Sequence, residues 1–354
     1  MKKYYIINTV LVLIIFSINY FAPKISTTIY NYYTKKTYVF LDYLLSFFDI
    51  VTISIGDLLY SILIIFLLFK TITILKQKKY KKLFFFYASC ILIFLIVFQI
   101  SWGFNNYKTP LVAQLNLNQS YSQKDLENIT FKLINKVNSQ AYLINNDSLR
   151  SIELEDNLEN FNTIALRNFE NLPKNLKETF LFNTPREVKQ SLYSKLLSYM
   201  GFSGYFNPFT HESQINYEIP TIGKPVTVAH EITHQLGVAS ESEANFIAFM
   251  VISQSSDMKY AYAGNLYALK YCLKEYRKEN EEIYLNYFNR LHPGVQKNIL
   301  ESEDFWKQKR SISSFIFKNL YGSFLKMNNQ KDGIKSYNKF VDILINYDKK
   351  HHNI

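Results

Sequence analysis

The chain of 354 residues is poor in the residue types that build several common kinds of functional site. It has two cysteines, no C-x-x-C pair, and no glycine-rich phosphate loop among its ten glycines. Cys90 lies in an apolar run and Cys272 far along the chain, so we do not expect them to pair. These absences argue against a disulfide scaffold and against a nucleotide cofactor.

Acidic residues are also in the minority, with 29 Asp and Glu against 40 Lys and Arg and a net charge of +11. A basic balance is compatible with nucleic-acid binding, but the lysines are scattered and no nucleic-acid motif is present. We therefore predict no nucleic-acid partner and interpret the charge as membrane-topology signals plus a solvated surface.

Long apolar runs are confined mostly to the first hundred residues. Three of them are long enough to cross a bilayer as helices, at residues 4–23, 53–75 and 83–104. The run between the first two, at 38–48, is aromatic and aliphatic and is compatible with a helix in the membrane interface. The sequence predicts an α-helical anchor with three transmembrane helices over residues 1–104.

Lysines crowd the short loop between the second and third predicted spans. Basic loops stay on the cytoplasmic side, and Lys2 and Lys3 place the N-terminus there as well. Three spans then leave residues 105–354 outside the cytoplasm. We expect a multi-pass protein of the cytoplasmic membrane whose C-terminal domain is extracytoplasmic.

This domain is predicted to be mainly α-helical, of α+β class, with a small antiparallel sheet. A threonine, a proline and a glutamate from Thr184 to Glu187 resemble a helix start, which predicts a helix reaching about Met200. Alternating aromatic and polar residues over 205–216 predict short strands or a hairpin.

Histidine is scarce, at six residues, yet two histidines occur in the pentapeptide HEITH at residues 230–234. On a helix, His230 and His234 share one face, so both imidazoles can bind one metal ion. Glu231 lies close enough to accept a proton from a water molecule beside that metal. This spacing is typical of zinc hydrolases, which add a third protein ligand and keep one position open for water.

The third ligand is predicted to follow closely. Gly237 can end the motif helix in a left-handed conformation, so that a second helix begins near residue 240. Glu241 and Asn245 share a face of that helix; we favour Glu241 as the ligand and Asn245 as the residue that orients a ligand histidine. Glu243 points elsewhere and is the rival ligand.

The motif and the following ESEANFIAF resemble zincin metallopeptidases whose third ligand is a glutamate in an E-x-x-x-D/N pattern, such as the Ste24-like and ImmA-like proteases. The interval between His234 and Glu241 is shorter here. Nearly the whole chain is similar to an uncharacterised bacterial family of three-span membrane proteins with an extracytoplasmic HExxH domain. Residues 102–107, 208–216 and 321–342 carry that similarity together with the motif.

The resemblance implies further roles. In zincins an edge strand before the motif helix binds extended peptide, which would give residues 205–216 that part, with His211 and Glu212 lining the cleft. Zincins often use a later Tyr or His to stabilise the oxyanion of the reaction. Tyr337 is the predicted catalytic residue of this kind, and Tyr321 is a second candidate.

We therefore expect a membrane-anchored zinc metallopeptidase that hydrolyses peptide or protein substrates of the cell envelope. Zn²⁺ would be held by His230, His234 and either Glu241 or Glu243, with Glu231 as the catalytic acid–base. One alternative is a non-catalytic membrane protein whose structural or vestigial zinc site serves a binding or scaffold role. Another is a zinc hydrolase of cell-wall peptides or lipids.

Overall fold

The computed structural model describes residues 2–117, 120–145, 149–328 and 339–352. The chain divides into two compact units. The first unit contains Met1–Thr109 and the short segment Asn207–Glu212, and the second contains Pro110–Phe206 and Ser213–Ile354.

The first unit is helical and apolar. Within the described part of the chain, three segments are long and apolar enough to cross a membrane: Lys3–Ile50, Ile55–Lys76 and Tyr80–Ser101. They overlap the three predicted spans, although the first continues well beyond residue 23, and they indicate that the protein associates with a membrane. The elements of this unit are helices α1 (Lys2–Phe21), α2 (Ser26–Thr28), α3 (Tyr38–Leu45), α4 (Ile55–Lys76) and α5 (Tyr80–Ser101), a π-helix (Ile29–Thr37), and 3₁₀ turns at Ala22–Ile25, Ser46–Ile50 and Gly103–Tyr107.

Polar side chains inside this apolar unit pair with one another. The Ser89 hydroxyl donates to Asn8 Oδ1 over 2.7 Å, which joins α5 to α1. The Thr34 hydroxyl donates to Asn105 Oδ1 over 3.0 Å. Such pairs meet the hydrogen-bonding needs of polar groups where water is scarce, and they fix how the helices pack.

The segment Asn207–Glu212 belongs to this unit through buried polar contacts. Glu212 accepts hydrogen bonds from the backbone N–H groups of Ile55 and Gly56, at 3.1 and 2.6 Å. A carboxylate at this position binds the free N–H groups at the start of α4 and complements the helix dipole. His211 Nδ1 lies 3.1 Å from Asp42 Oδ1, and the His211 ring stacks on Tyr38.

The second unit is mostly helical. Helix α12 is its centre, because every one of its residues from Glu241 to Ser253 is buried. Helices α8, α11, α13 and α17 pack around it. The helices of this unit are α6 (Leu111–Gln114), α7 (Gln123–Asn145), α8 (Leu158–Glu170), α9 (Lys174–Phe180), α10 (Ser194–Met200), α11 (Lys224–Gln235), α12 (Glu241–Ser253), α13 (Met258–Glu279), α14 (Glu281–Phe288), α15 (Pro293–Gln308), α16 (Ile312–Met327) and α17 (Lys339–His351), with a 3₁₀ turn at Thr221–Gly223.

A small sheet lies beside α11, with strands in the order β1–β3–β2. Strand β2 (Gly204–Phe206) runs antiparallel to β3 (Ser213–Ile215), with Tyr205 opposite Gln214. Strand β1 (Val188–Gln190) runs parallel to β3. The predicted strands at 205–216 are confirmed, but the prediction of a purely antiparallel sheet is wrong, because the sheet is mixed.

The error arose in the stretch before α10, where a helix was predicted from Thr184. The side chain of Asn162 instead accepts from the Val188 N–H at 2.9 Å and donates to the Val188 carbonyl at 3.0 Å. These contacts, together with pairing to β3, hold the backbone extended. The helix α10 begins only at Ser194, and it supplies part of the connection that a parallel strand pair requires.

Candidate metal centre

Helix α11 brings the two motif histidines together, as their spacing predicts. The imidazole rings of His230 and His234 lie one turn apart with centroids separated by 4.6 Å. Their Nε2 atoms are 3.0 Å apart. Both side chains therefore present a nitrogen to the same point in space.

The turn after α11 orients one of these rings. Gly237 has a φ of 81°, in the left-handed region where glycine carries no steric cost, as predicted. The reversal that follows places the Val238 carbonyl 2.7 Å from His234 Nδ1. A carbonyl can only accept, so Nδ1 carries the proton and the Nε2 lone pair is left for a ligand.

Glu241, the first residue of α12, completes the group. Its Oε2 lies 3.3 Å from His230 Nε2 and 3.6 Å from His234 Nε2. These three residues, called here the His-His-Glu cluster, are the one group of ligand side chains in the described ranges whose donor atoms converge closely enough to hold an ion.

The separations fit a tetrahedral zinc ion. Bonds of about 2.0–2.1 Å at tetrahedral angles place ligand atoms about 3.3 Å apart. The three observed separations, 3.0, 3.3 and 3.6 Å, bracket that value. The donor set of two imidazoles and one carboxylate is also one that zinc hydrolases use.

The charges in the cluster favour a cation. Burial and the neighbouring His234 lower the pKa of His230. Burial opposes protonation of His234 as well, but Glu241 outweighs it and raises the pKa of His234 to about 9. The histidines in turn hold the pKa of Glu241 well below its usual range, against the effect of burial. A buried carboxylate thus draws positive charge to the point where the donors meet.

Glu231 lies beside the cluster but is not part of it. Its side chain is buried, and burial raises its pKa to about 8. Its Oε2 has no hydrogen-bond partner in the described part of the chain. A buried carboxylate oxygen without a partner destabilises the folded protein, so packing alone does not explain a glutamate at this position.

Gly204 on β2 makes room for that carboxylate. A Cβ atom at Gly204 would lie 2.6 Å from Glu231 Oε1 and 2.8 Å from the Gln214 carbonyl. Glycine at position 204 therefore lets the backbone of β2 pass close to the carboxylate. Its close approach to Glu231 could not be found without the strand pairing.

A hydrogen-bond network supports the cluster from α12 and α13. Asn245, predicted to orient a ligand histidine, interacts with His230 and acts to raise the pKa of that imidazole, against the larger effect of burial. Tyr267 donates to Asn245 Oδ1 over 2.7 Å, and the Tyr271 hydroxyl lies 3.4 Å from Asn245 Nδ2. The two tyrosines were missed by sequence reasoning, although their i, i+4 spacing on a tyrosine-rich helix is a usable signal.

Tyr321 reaches the cluster from α16. Its hydroxyl donates to Glu241 Oε1 over 2.6 Å, which leaves Oε2 facing the histidines. The Phe202 ring packs edge-on against the Tyr321 ring at 5.2 Å. The structure therefore brings this candidate to the site, whereas Tyr337 lies outside the described residues.

Other candidates lie elsewhere. Glu243 is buried and accepts a hydrogen bond from the Leu111 N–H at 2.7 Å, away from the His-His-Glu cluster. His211 and Glu212, predicted to line a substrate cleft, are buried in the first unit with the partners described above. Position along the chain had suggested a cleft role, but buried contacts with α3 and α4 hold both side chains.

A family model described as a protein of unknown function (DUF3810) matches residues 32–345 of the chain, which include every member of the His-His-Glu cluster. No curated protein matches the chain. No solved structure matches it either.

Proposed function

The chain belongs to the DUF3810 family, whose description assigns no activity, and from the site itself we propose that it is a membrane-anchored zinc metallopeptidase. One observation carries this proposal. Three ligand atoms converge at zinc-like separations beside Glu231, a buried carboxylate that has an oxygen without a partner in the described ranges.

His230, His234 and Glu241 would hold the ion. Zinc bound there would polarise a substrate carbonyl and lower the pKa of water in the open coordination position toward ~7. The Val238 carbonyl holds the imidazole of His234 toward the common point, and Asn245 interacts with His230. Such outer contacts fix ligand orientation and strengthen binding.

Glu231 is the proposed acid–base. It takes a proton from the water that attacks the peptide carbonyl and delivers that proton to the leaving amine. Its carboxylate is buried beside the cluster, where it can hold the proton between these two steps. Gly204 keeps the backbone of β2 close without displacing the carboxylate.

The predicted location sets the proposed substrates. The lysine-rich loop between α4 and α5 favours a cytoplasmic N-terminus, which would put the second unit outside the cytoplasm. Peptides or proteins of the cell envelope would then be the accessible substrates, at the outer face of the cytoplasmic membrane.

The ligand count favours catalysis over a structural role. Structural zinc sites are usually closed by four protein ligands. In the described residues the cluster offers three, and Glu231 adds a proton acceptor that a structural site does not need. A vestigial site or a hydrolase of cell-wall peptides or lipids remains an outcome of the substrate test.

The test uses the full chain in nanodiscs, loaded with zinc and screened against peptides, muropeptides and lipid esters. Turnover of peptides that is abolished by Glu231→Gln supports the proposal. Turnover confined to muropeptides or lipid esters assigns another hydrolase class. Absence of turnover on all three by a zinc-loaded protein contradicts an enzymatic role.

A further inference from the structure

Helix α16 has two apolar faces, and only one of them is covered. Tyr321 and Leu325 point into the unit, and the helix packs there against α10. The opposite face carries large apolar side chains in the i, i+4 pattern of a single stripe. Their exposed fractions are 81% for Ile312, 67% for Phe315, 49% for Ile316, 61% for Leu320 and 63% for Met327.

The chain segment that carries this stripe has charges of one sign. Residues 305–327 include five basic residues and no acidic one. Two of the basic residues, Lys318 and Lys326, are exposed on α16 itself. An apolar stripe flanked by lysines is the composition of helices that lie in the interface of an anionic bilayer.

A second copy of the chain is a poorer occupant. Two such faces in contact would bring Lys318 and Lys326 of one copy close to the same lysines of the other, which opposes association. A bilayer, by contrast, is held close to α16, because the same chain carries three apolar helices of spanning length.

We propose that the exposed face of α16 is a membrane-contact surface, with Ile312, Phe315, Ile316 and Leu320 immersed at the headgroup–acyl boundary of a bilayer that contains anionic lipid. Lys318 and Lys326 contact the lipid phosphates. Tyr321 on the opposite face stays on Glu241, so one helix would touch both lipid and the His-His-Glu cluster.

The test places single nitroxide labels on the full chain in nanodiscs of phosphatidylcholine and phosphatidylglycerol. Labels are attached at Ile316→Cys and Leu320→Cys in a Cys90→Ala background, since Cys272 is fully buried. Leu285→Cys on α14 is the matched control, with an exposed leucine of similar type. Collision with oxygen, which concentrates in lipid, is compared with collision with an aqueous nickel chelate.

We expect both α16 labels to favour oxygen and the α14 label to favour the nickel chelate. Lys318→Gln and Lys326→Gln should each lower the ratio of lipid-immersed to water-exposed α16 about fivefold. Removal of phosphatidylglycerol should lower this ratio further. The proposal would be overturned by α16 labels that stay in water, by equal readings at 285 and 316, or by spin–spin broadening between copies. An immersion that is unchanged without anionic lipid would also contradict it.

Discussion

Each unit of this protein buries histidine beside carboxylate, but the two arrangements differ in how their polar atoms are used. In the first unit His211 Nδ1 lies against Asp42, and His211 Nε2 lies 3.2 Å from the Ser101 carbonyl. Both oxygens of Glu212 accept backbone N–H groups of α4. Every one of these atoms thus has a fixed partner from the chain.

In the His-His-Glu cluster of the second unit, the donor atoms converge on one point. Its three inner donor atoms face one another, and the outer atoms of His234 and Glu241 are held by Val238 and Tyr321. Beside it, Glu231 keeps a buried oxygen without a partner among the described residues. Burial of histidine and carboxylate is therefore common to both units, whereas convergence of donor atoms marks the one suited to a metal.

The largest expected effect is the loss of peptide turnover when Glu231 is replaced. Glu231→Gln keeps the size of the side chain but removes the proton acceptor, so we expect peptide turnover to fall by about 10²–10⁴-fold. Zinc content should stay unchanged, because Glu231 is not in the cluster. Turnover assays and metal analysis on the same sample check both; retained turnover would remove Glu231 from the mechanism.

The two carboxylates at the start of α12 offer a matched pair. Glu241→Gln should weaken zinc binding by at least about a hundredfold, since it removes the one anionic donor of the cluster. Glu243→Gln should leave zinc affinity unchanged, because its amide oxygen can still accept from Leu111. Competition titration with a chelating dye measures both affinities. The reverse outcome would make Glu243 the ligand.

Loss of the hydrogen bond from α13 to Asn245 should lower zinc affinity less than loss of Glu241 does. Tyr267→Phe removes the hydroxyl that holds Asn245 and should lower zinc affinity about tenfold, within the range for loss of outer contacts. Tyr276→Phe, at a buried tyrosine of the same helix, is the control and should leave zinc affinity unchanged. Equal effects from both would point to packing of α13 rather than to orientation of His230.

The smallest effect on zinc binding is expected from a change in the first unit. Glu212→Ala removes the carboxylate from the start of α4 and should destabilise this unit by about 1–2 kcal/mol. Thermal unfolding in detergent measures the change, and zinc affinity should not move. A loss of zinc in this variant would show that the polar contacts of the two arrangements are not separable.

The sequence was informative wherever a local pattern determines structure. The apolar runs predicted α1, α4 and α5, and the HEITH spacing predicted that His230 and His234 share a face. Gly237 marked the reversal because only a left-handed residue fits there. Each of these predictions depends on neighbours within one or two helical turns.

Predictions were wrong or incomplete where contacts between residues far apart in the sequence determine the local structure. Strand β1 looked like a helix start, because nothing near Val188 reveals that Asn162 will bind its backbone. His211 looked like a cleft residue, because its partner Asp42 is 169 positions away. The approach of Gly204 to Glu231 likewise depends on strand pairing. Such contacts are set by tertiary packing, which local patterns do not encode.

The central claim is that the convergent histidines bind zinc and the fully partnered one does not. Zinc per chain should be measured on the full-length protein after metal reconstitution, beside His234→Gln and His211→Gln. We predict one zinc in the parent chain and in His211→Gln, and none in His234→Gln. Absence of zinc from the parent chain, or equal zinc in the two variants, would contradict the account.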